Sequence, residues 1–255
     1  GTASFHSVEE LPSMDRGAQV LIVREDGELV QQIPWNRPED LSVDEEWDIA
    51  LGADGSAEIT IRMKAKGDFA VFLRSNYELK AQRKTLLEKT LGRKFAGVKI
   101  LSQEFSNLSN LDENVTMEIR LTAPSFANSS PEEITFSLVD DFFGSVGNLG
   151  VLGALEKREN DVVLGNPRSS RLKATYRLPA GIKLKSTPES RDIDTRFGRF
   201  LLGVDSSKPG ILVLERLFQM KKNRVPLSEY QEFRKLSASV DQLSNEKIVL
   251  RKTGK

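Results

Sequence analysis

At 255 residues, with 38% hydrophobic and 29% charged side chains, the chain has the composition of a folded protein able to bury a sizeable core. Its 37 Lys and Arg equal its 37 Asp and Glu, so no global field draws it to nucleic acid, and no stretch approaches the ~20 apolar residues of a membrane span. With no cysteine and the single histidine His6, disulfides, thiolate metal sites, cysteine nucleophiles, histidine zinc pairs and a Ser-His-Asp triad all drop out, and no metal or cofactor is expected.

Residues 1–18 read as an N-terminal arm, with neither a basic start nor an apolar run. A first β-rich module is expected over 19–122. Its opening strands, 20–24 and 29–33, flank Asp26-Gly27, a dipeptide suited to tight hairpins because it tolerates positive φ. Trp47, Ile49 and Leu51 alternate with polar or small residues. After Asp54-Gly55 the alternation resumes with Ala57, Ile59, Ile61 and Met63 against Glu58, Thr60, Arg62 and Lys64, the pattern of a half-buried antiparallel hairpin. The period then becomes helical through Phe69, Phe72, Leu73, Tyr77, Leu87 and Leu91, which predicts one long helix over about 67–91, closed near Gly92. Strands resume over 98–105 and 115–121.

The loop formers between 122 and 131 mark a domain boundary or a long crossover, and a second, β-sandwich-like module is expected over 123–255. Gly144, Gly147, Gly150 and Gly153 punctuate a weakly patterned segment that reads as a mobile loop. Strands are expected at 172–178, 182–184, 197–204 and 211–220. A C-terminal helix over about 228–243 follows Pro226, with Ser228 and Gln231 spaced as a capping box, and a short strand lies at 248–250. The fold class is therefore mainly β of the α+β kind, with antiparallel sandwich-like modules.

Few residues carry chemistry. Asp140 and Asp141 could form an acid and base pair, but neighbours on a strand point to opposite faces. Asp26-Gly27 and Asp54-Gly55 lack the ligand series of a calcium loop, and the glycines lack the spacing of a phosphate cradle. The basic residues at Lys64 and Lys66, Arg83 and Lys84, and Lys221, Lys222 and Arg224 read as solvated faces rather than a nucleic-acid groove. His6 has no partner for catalysis in sequence. Trp35, in the Pro-rich loop Ile33-Pro-Trp-Asn-Arg-Pro38, is the candidate ligand contact: exposed, it would stack on a sugar or peptide, and buried, it would anchor the loop.

Several motifs fall in a recognisable order: Thr2-Ala3-Ser4, Leu11-Pro12, Gly17-Ala-Gln-Val-Leu-Ile22, Leu51-Gly-Ala-Asp-Gly-Ser-Ala57, Tyr176-Arg-Leu-Pro-Ala-Gly-Ile182, Phe197-Gly198, Tyr230-Gln-Glu-Phe-Arg234 and Ile248-Val-Leu-Arg-Lys252. In this order the chain resembles the C-terminal region of large exported bacterial proteins that join a transglutaminase-like domain to flanking β-rich domains of unknown function. The resemblance implies that the catalytic Cys and His lie upstream of Gly1, with the Asp of the triad immediately before it. It further implies a periplasmic or otherwise exported protein of a Gram-negative bacterium. The chain itself is then expected to be a non-catalytic accessory module partnered by the upstream domain. The alternatives are a carbohydrate- or peptide-binding sandwich and a hydrolase using Asp140 or Asp141.

Overall fold

The computed structural model describes residues 4–8, 10–146 and 149–252. β1 (Gln19–Arg24) and β2 (Gly27–Gln32) pair as a separate hairpin, with Arg24 opposite Gly27. Gly27 carries the positive φ and opens β2, so the turn is centred on Glu25 and Asp26, one residue earlier than the dipeptide suggests. No side chain of this hairpin is buried.

The alternating hairpin follows as β3 (Ser42–Leu51) and β4 (Ala57–Ala65), closed at Gly55 with φ +89°. α1 (Asp68–Tyr77) and α2 (Arg83–Gly92) come next, so the single helix expected over 67–91 is two. No proline or glycine lies at the break. There the Arg83 guanidinium donates to the carbonyls of Tyr77 (2.6 Å) and Glu78 (3.5 Å), supplying partners that a helix end otherwise lacks. α2 ends at Gly92 without a left-handed cap. β5 (Lys99–Phe105), β6 (Val115–Ala123), β7 (Asn128–Ser129) and β8 (Glu133–Ser137) complete the first half.

The second half contains α3 (Leu149–Leu152), β9 (Val162–Val163), β10 (Arg168–Arg177), β11 (Ile182–Ser186), β12 (Arg191–Asp194), β13 (Gly198–Asp205), β14 (Ile211–Met220), β15 (Arg224–Val225), α4 (Tyr230–Ser244) and β16 (Lys247–Lys252). The C-terminal helix stands where its apolar spacing puts it, but no side chain caps its N-terminus. Gln231 donates instead to the Glu156 carbonyl at 2.7 Å.

Eight strands form one sheet in the order β12-β13-β14-β10-β3-β4-β6-β5. Every pairing in it is antiparallel except β3 with β10, which run parallel from Ser42 opposite Ser169 to Ala50 opposite Arg177. That ladder crosses the expected boundary at 122–131, so segments 19–122 and 123–255 share one sheet. They also share a core: Trp47, Ile49, Ile61, Met117 and Ile119 from the first segment pack with Tyr176, Leu212 and Leu250 from the second.

One face of the sheet is covered and the other is open. α1 and α2 place Leu73, Tyr77, Leu87 and Leu91 against the β4–β6 side. α4 places Tyr230, Phe233, Leu236 and Val240 against Phe200, Leu202 and Phe218 of β13 and β14. Sheet-on-sheet layering is confined to the middle, where the small sheet β11-β16-β8-β7 contributes Ile134, Phe136, Ile248 and Leu250. Each fully buried Ile, Leu or Phe contributes about 1.5–3 kcal/mol, so these three covers hold the sheet in place.

Candidate functional site

Two inward positions of the large sheet carry charge where the alternation calls for an apolar side chain. Glu45 stands between Val43 and Trp47 on β3, and Arg216 stands between Leu214 and Phe218 on β14. They are 2% and 7% exposed. Segment 138–146, leaving β8, brings two acids to them. Arg216 Nη2 lies 2.8 Å from Asp140 Oδ1 and 2.8 Å from Asp141 Oδ2. The fully buried Asp141 carboxylate also accepts the hydroxyls of Ser170 (2.8 Å) and Ser145 (3.1 Å) and the backbone N–H groups of Phe143 and Ser145 (3.1 Å each).

Glu45 accepts the Trp47 indole N–H at 2.7 Å and the Phe142 N–H at 2.9 Å. Burial pushes its carboxyl up to about 8, and the negative charge of Asp141 adds to the effect; the two N–H donors and Lys94 pull the other way. Lys94 Nζ donates to the carbonyls of Asp140 and Asp141. The segment is thus tied to β3, β10, β14 and the end of α2 through side chains that meet backbone groups, so a stretch without regular structure can be buried. With one carboxylate saturated by donors and the other held to Arg216, the cluster positions chain.

The expectation that Asp140 and Asp141 face opposite ways fails because the segment is not a strand. Asp141 N–H donates to Asp140 Oδ1 at 2.9 Å and Phe143 N–H to Asp141 Oδ1, turns that curl both acids onto Arg216. Three of the four glycines have defined places among the described residues. Gly144 turns the chain with φ +67°, and Gly150 and Gly153 let α3 lie against α4. A β-carbon on Gly153 would meet Ser237 Oγ at 2.2 Å, and Ser237 Oγ–H donates to the Leu149 carbonyl at 2.6 Å. Gly147, like Thr2 and Ala3, lies outside the described residues.

Trp35 is 40% exposed, with one ring edge lying over Gly17, where a β-carbon would come within 2.0 Å of the indole. It anchors the arm and still shows a face to solvent. His6 sits against α1 with Nε2 3.4 Å from Asp68. Lys66 pairs with Asp40, Lys221 with Asp194 and Arg224 with Asp161. A hollow of about 940 Å³ lies on the open face of the sheet among Asp44, Glu46, Arg62, Lys64, Arg171 and Lys173. The side chains of Glu45 and Arg216 point to the other face, away from it. Ion pairs such as Arg62 with Asp48 and Glu118, and Lys173 with Glu215, knit its wall.

Glu45, Arg216 and Ser170 escape a reading of the sequence alone. The one available signal is charge at an inward position of two otherwise alternating strands. Among the described residues no group of three His, Asp or Glu side chains could hold a metal ion, and no helix is long and apolar enough to cross a membrane.

Fold and site together define a mainly β protein of the α+β kind, with a polar clamp buried beneath a broad sheet. Residues 148–250 match the family described as a domain of unknown function with a solved structure, DUF3858. The matched stretch runs from α3 through most of β16. Among solved structures the chain is similar to a putative protease from Parabacteroides distasonis ATCC 8503, with 18% identity and a TM-score of 0.40 over 48% of this chain. It spans 24% of that protein's length. No curated protein matches it.

Proposed function

We propose that the chain is a non-catalytic accessory module of a larger exported protein, packing on a transglutaminase-like domain that lies upstream and carries the cysteine chemistry. The observation that carries this reading is how the densest cluster of ionisable groups is used. Arg216 pairs with both Asp140 and Asp141, and the buried Asp141 oxygens are filled by Ser170, Ser145 and backbone N–H groups. A carboxylate that works on substrate keeps an oxygen open for it, whereas both oxygens of Asp141 are satisfied from within. The ordered motifs and the match over 148–250 to a domain of unknown function fit the same reading. Peptide hydrolysis and crosslinking assays on the isolated chain test it, with no turnover above background expected; enzymatic rates would overturn it. Reading the coding frame that precedes Gly1 tests the parentage: a Cys and a His in a transglutaminase-like setting are expected there.

Trp35 favours a second reading, a module that binds carbohydrate or peptide. Its half-exposed indole is held from behind by Gly17, the arrangement a stacking platform needs. Titrating oligosaccharides or peptides while following indole fluorescence discriminates the two: saturable binding that Trp35→Ala abolishes supports the platform, and a flat titration leaves Trp35 an anchor only.

A further inference from the structure

One carboxyl of the buried cluster has no cation of its own. Glu45 on β3 is buried, and among the described residues no Lys or Arg forms an ion pair with it. Arg216 of β14 is engaged by Asp140 and Asp141. The Lys94 ammonium, just beyond α2, is engaged by the carbonyls of the same two aspartates, and Arg168 of β10 donates to the carbonyls of Leu164 and Asn166. Burial raises the phenols of Tyr77 on α1 and Tyr176 on β10 above the ordinary 10, so both stay neutral. A charged Glu45 is therefore a second buried anion beside Asp141, left without a counter-charge.

What Glu45 holds is backbone. Its two oxygens lie 2.9 and 3.1 Å from the Phe142 N–H. Residues 140–145 span two anchors, Val139 in the core beneath α1 and α2 and Val146 in the core beneath α4. Between the anchors there is no helix or strand, and Gly144 bends the chain with φ +67°. The span can thus lift while both cores stay packed. Lifting it takes Asp141 away from Glu45 and admits water to the Glu45 carboxylate. It also turns out Phe143, whose ring lies 4.7 Å from Phe69 and 5.5 Å from Phe72 on α1.

We propose that residues 140–145 are a proton-controlled latch, closed on the sheet while Glu45 carries its proton and loosened once that proton leaves. The closed latch keeps the proton up to about 8, whereas the open span, with Glu45 in water, keeps it only to about the ordinary 4.5. Opening therefore releases a proton throughout that window. It is rarest below pH 4.5, rises through neutral pH and levels off above about 8. The latch goes beyond the accessory role proposed above and does not depend on it.

Amide hydrogen exchange on the 255-residue chain tests the latch. The protection of the Phe142, Phe143 and Ser145 amides should fall about 70-fold between about pH 5.5 and 7.5 and change little above about pH 8.5. These amides should exchange faster at every pH than those of the fully buried Ile61 and Ile119, which open only with the whole sheet. Glu45→Gln should make their protection independent of pH. In a Trp35→Phe chain Trp47 is the only indole, and because it donates to Glu45 its emission should follow a one-proton transition centred near pH 8 while far-UV circular dichroism stays constant. That measurement decides the matter should Glu45→Gln fail to fold. Flat protection in the parent chain, exchange at 142–145 no faster than at Ile61, a pH dependence that survives Glu45→Gln, or no Trp47 transition would each overturn the proposal.

Discussion

Two hairpins with the same turn signal meet different fates in this molecule. β3 and β4 close at Asp54-Gly55 and bury Val43, Trp47, Ile49, Ile59, Ile61 and Met63; β1 and β2 close beside Asp26-Gly27 and bury nothing. The turn residues permit a hairpin in both places. What differs is the pattern on either side: polar and apolar residues alternate through 57–64, whereas Val20, Leu21, Ile22 and Val23 run together, leaving no polar face for solvent and no apolar face for the core. A turn specifies pairing, and only the alternation says which way the paired surface faces.

The comparison can be strained at its deepest point first. Arg216→Ala leaves Asp141 charged and without its cation in the interior of the same sheet that β3 and β4 anchor, and the expected loss is about 3–5 kcal/mol in chemical denaturation. A loss under about 1 kcal/mol would show that Asp140 and Asp141 take up protons at no cost, and that the clamp is not structural. Ile61→Ala is next, because Ile61 is fully buried and stands opposite Trp47, whose other neighbour is Ala174. About 2–5 kcal/mol should go, whereas Val23→Ala on the outer hairpin, 73% exposed, should change stability by no more than about 0.5 kcal/mol. Equal costs would mean that the outer hairpin is as integral as the inner one.

The third probe is pH. Glu45 holds its proton in the folded state up to about 8 and in the unfolded chain only to about its ordinary 4.5. Its contribution is therefore complete below pH 4.5 and lost as pH rises towards 8. Glu45→Gln keeps one oxygen to accept from Trp47 and Phe142 and cannot ionise, so denaturation midpoints measured from pH 5 to 8 should fall less steeply with pH than in the parent chain. An unchanged slope would assign the pH dependence to other groups.

Much of the fold is legible in the sequence because it is written locally. Alternation marks β4, β6 and β14, and the spacing of Tyr230, Phe233, Val240 and Leu243 marks α4. The break between α1 and α2 is not, since nothing in 78–82 forbids a helix and the decisive contact is a side chain reaching back to two carbonyls. Nor can local pattern foresee that Ser42 to Ala50 would pair with residues beyond 168, or that Glu45, Asp141, Ser170 and Arg216, drawn from four distant stretches, would meet. Such meetings depend on where the chain returns, which no window of a few residues encodes.

The parallel ladder between β3 and β10 bears on how this protein can be divided. A cut in the loop after β6 would separate strands that are neighbours at the centre of one sheet, giving each fragment a raw edge of unpaired N–H and C=O groups facing water. Each fragment is then the other's missing strand, and the midpoint that looks most like a linker is a seam along which the severed halves would reassemble.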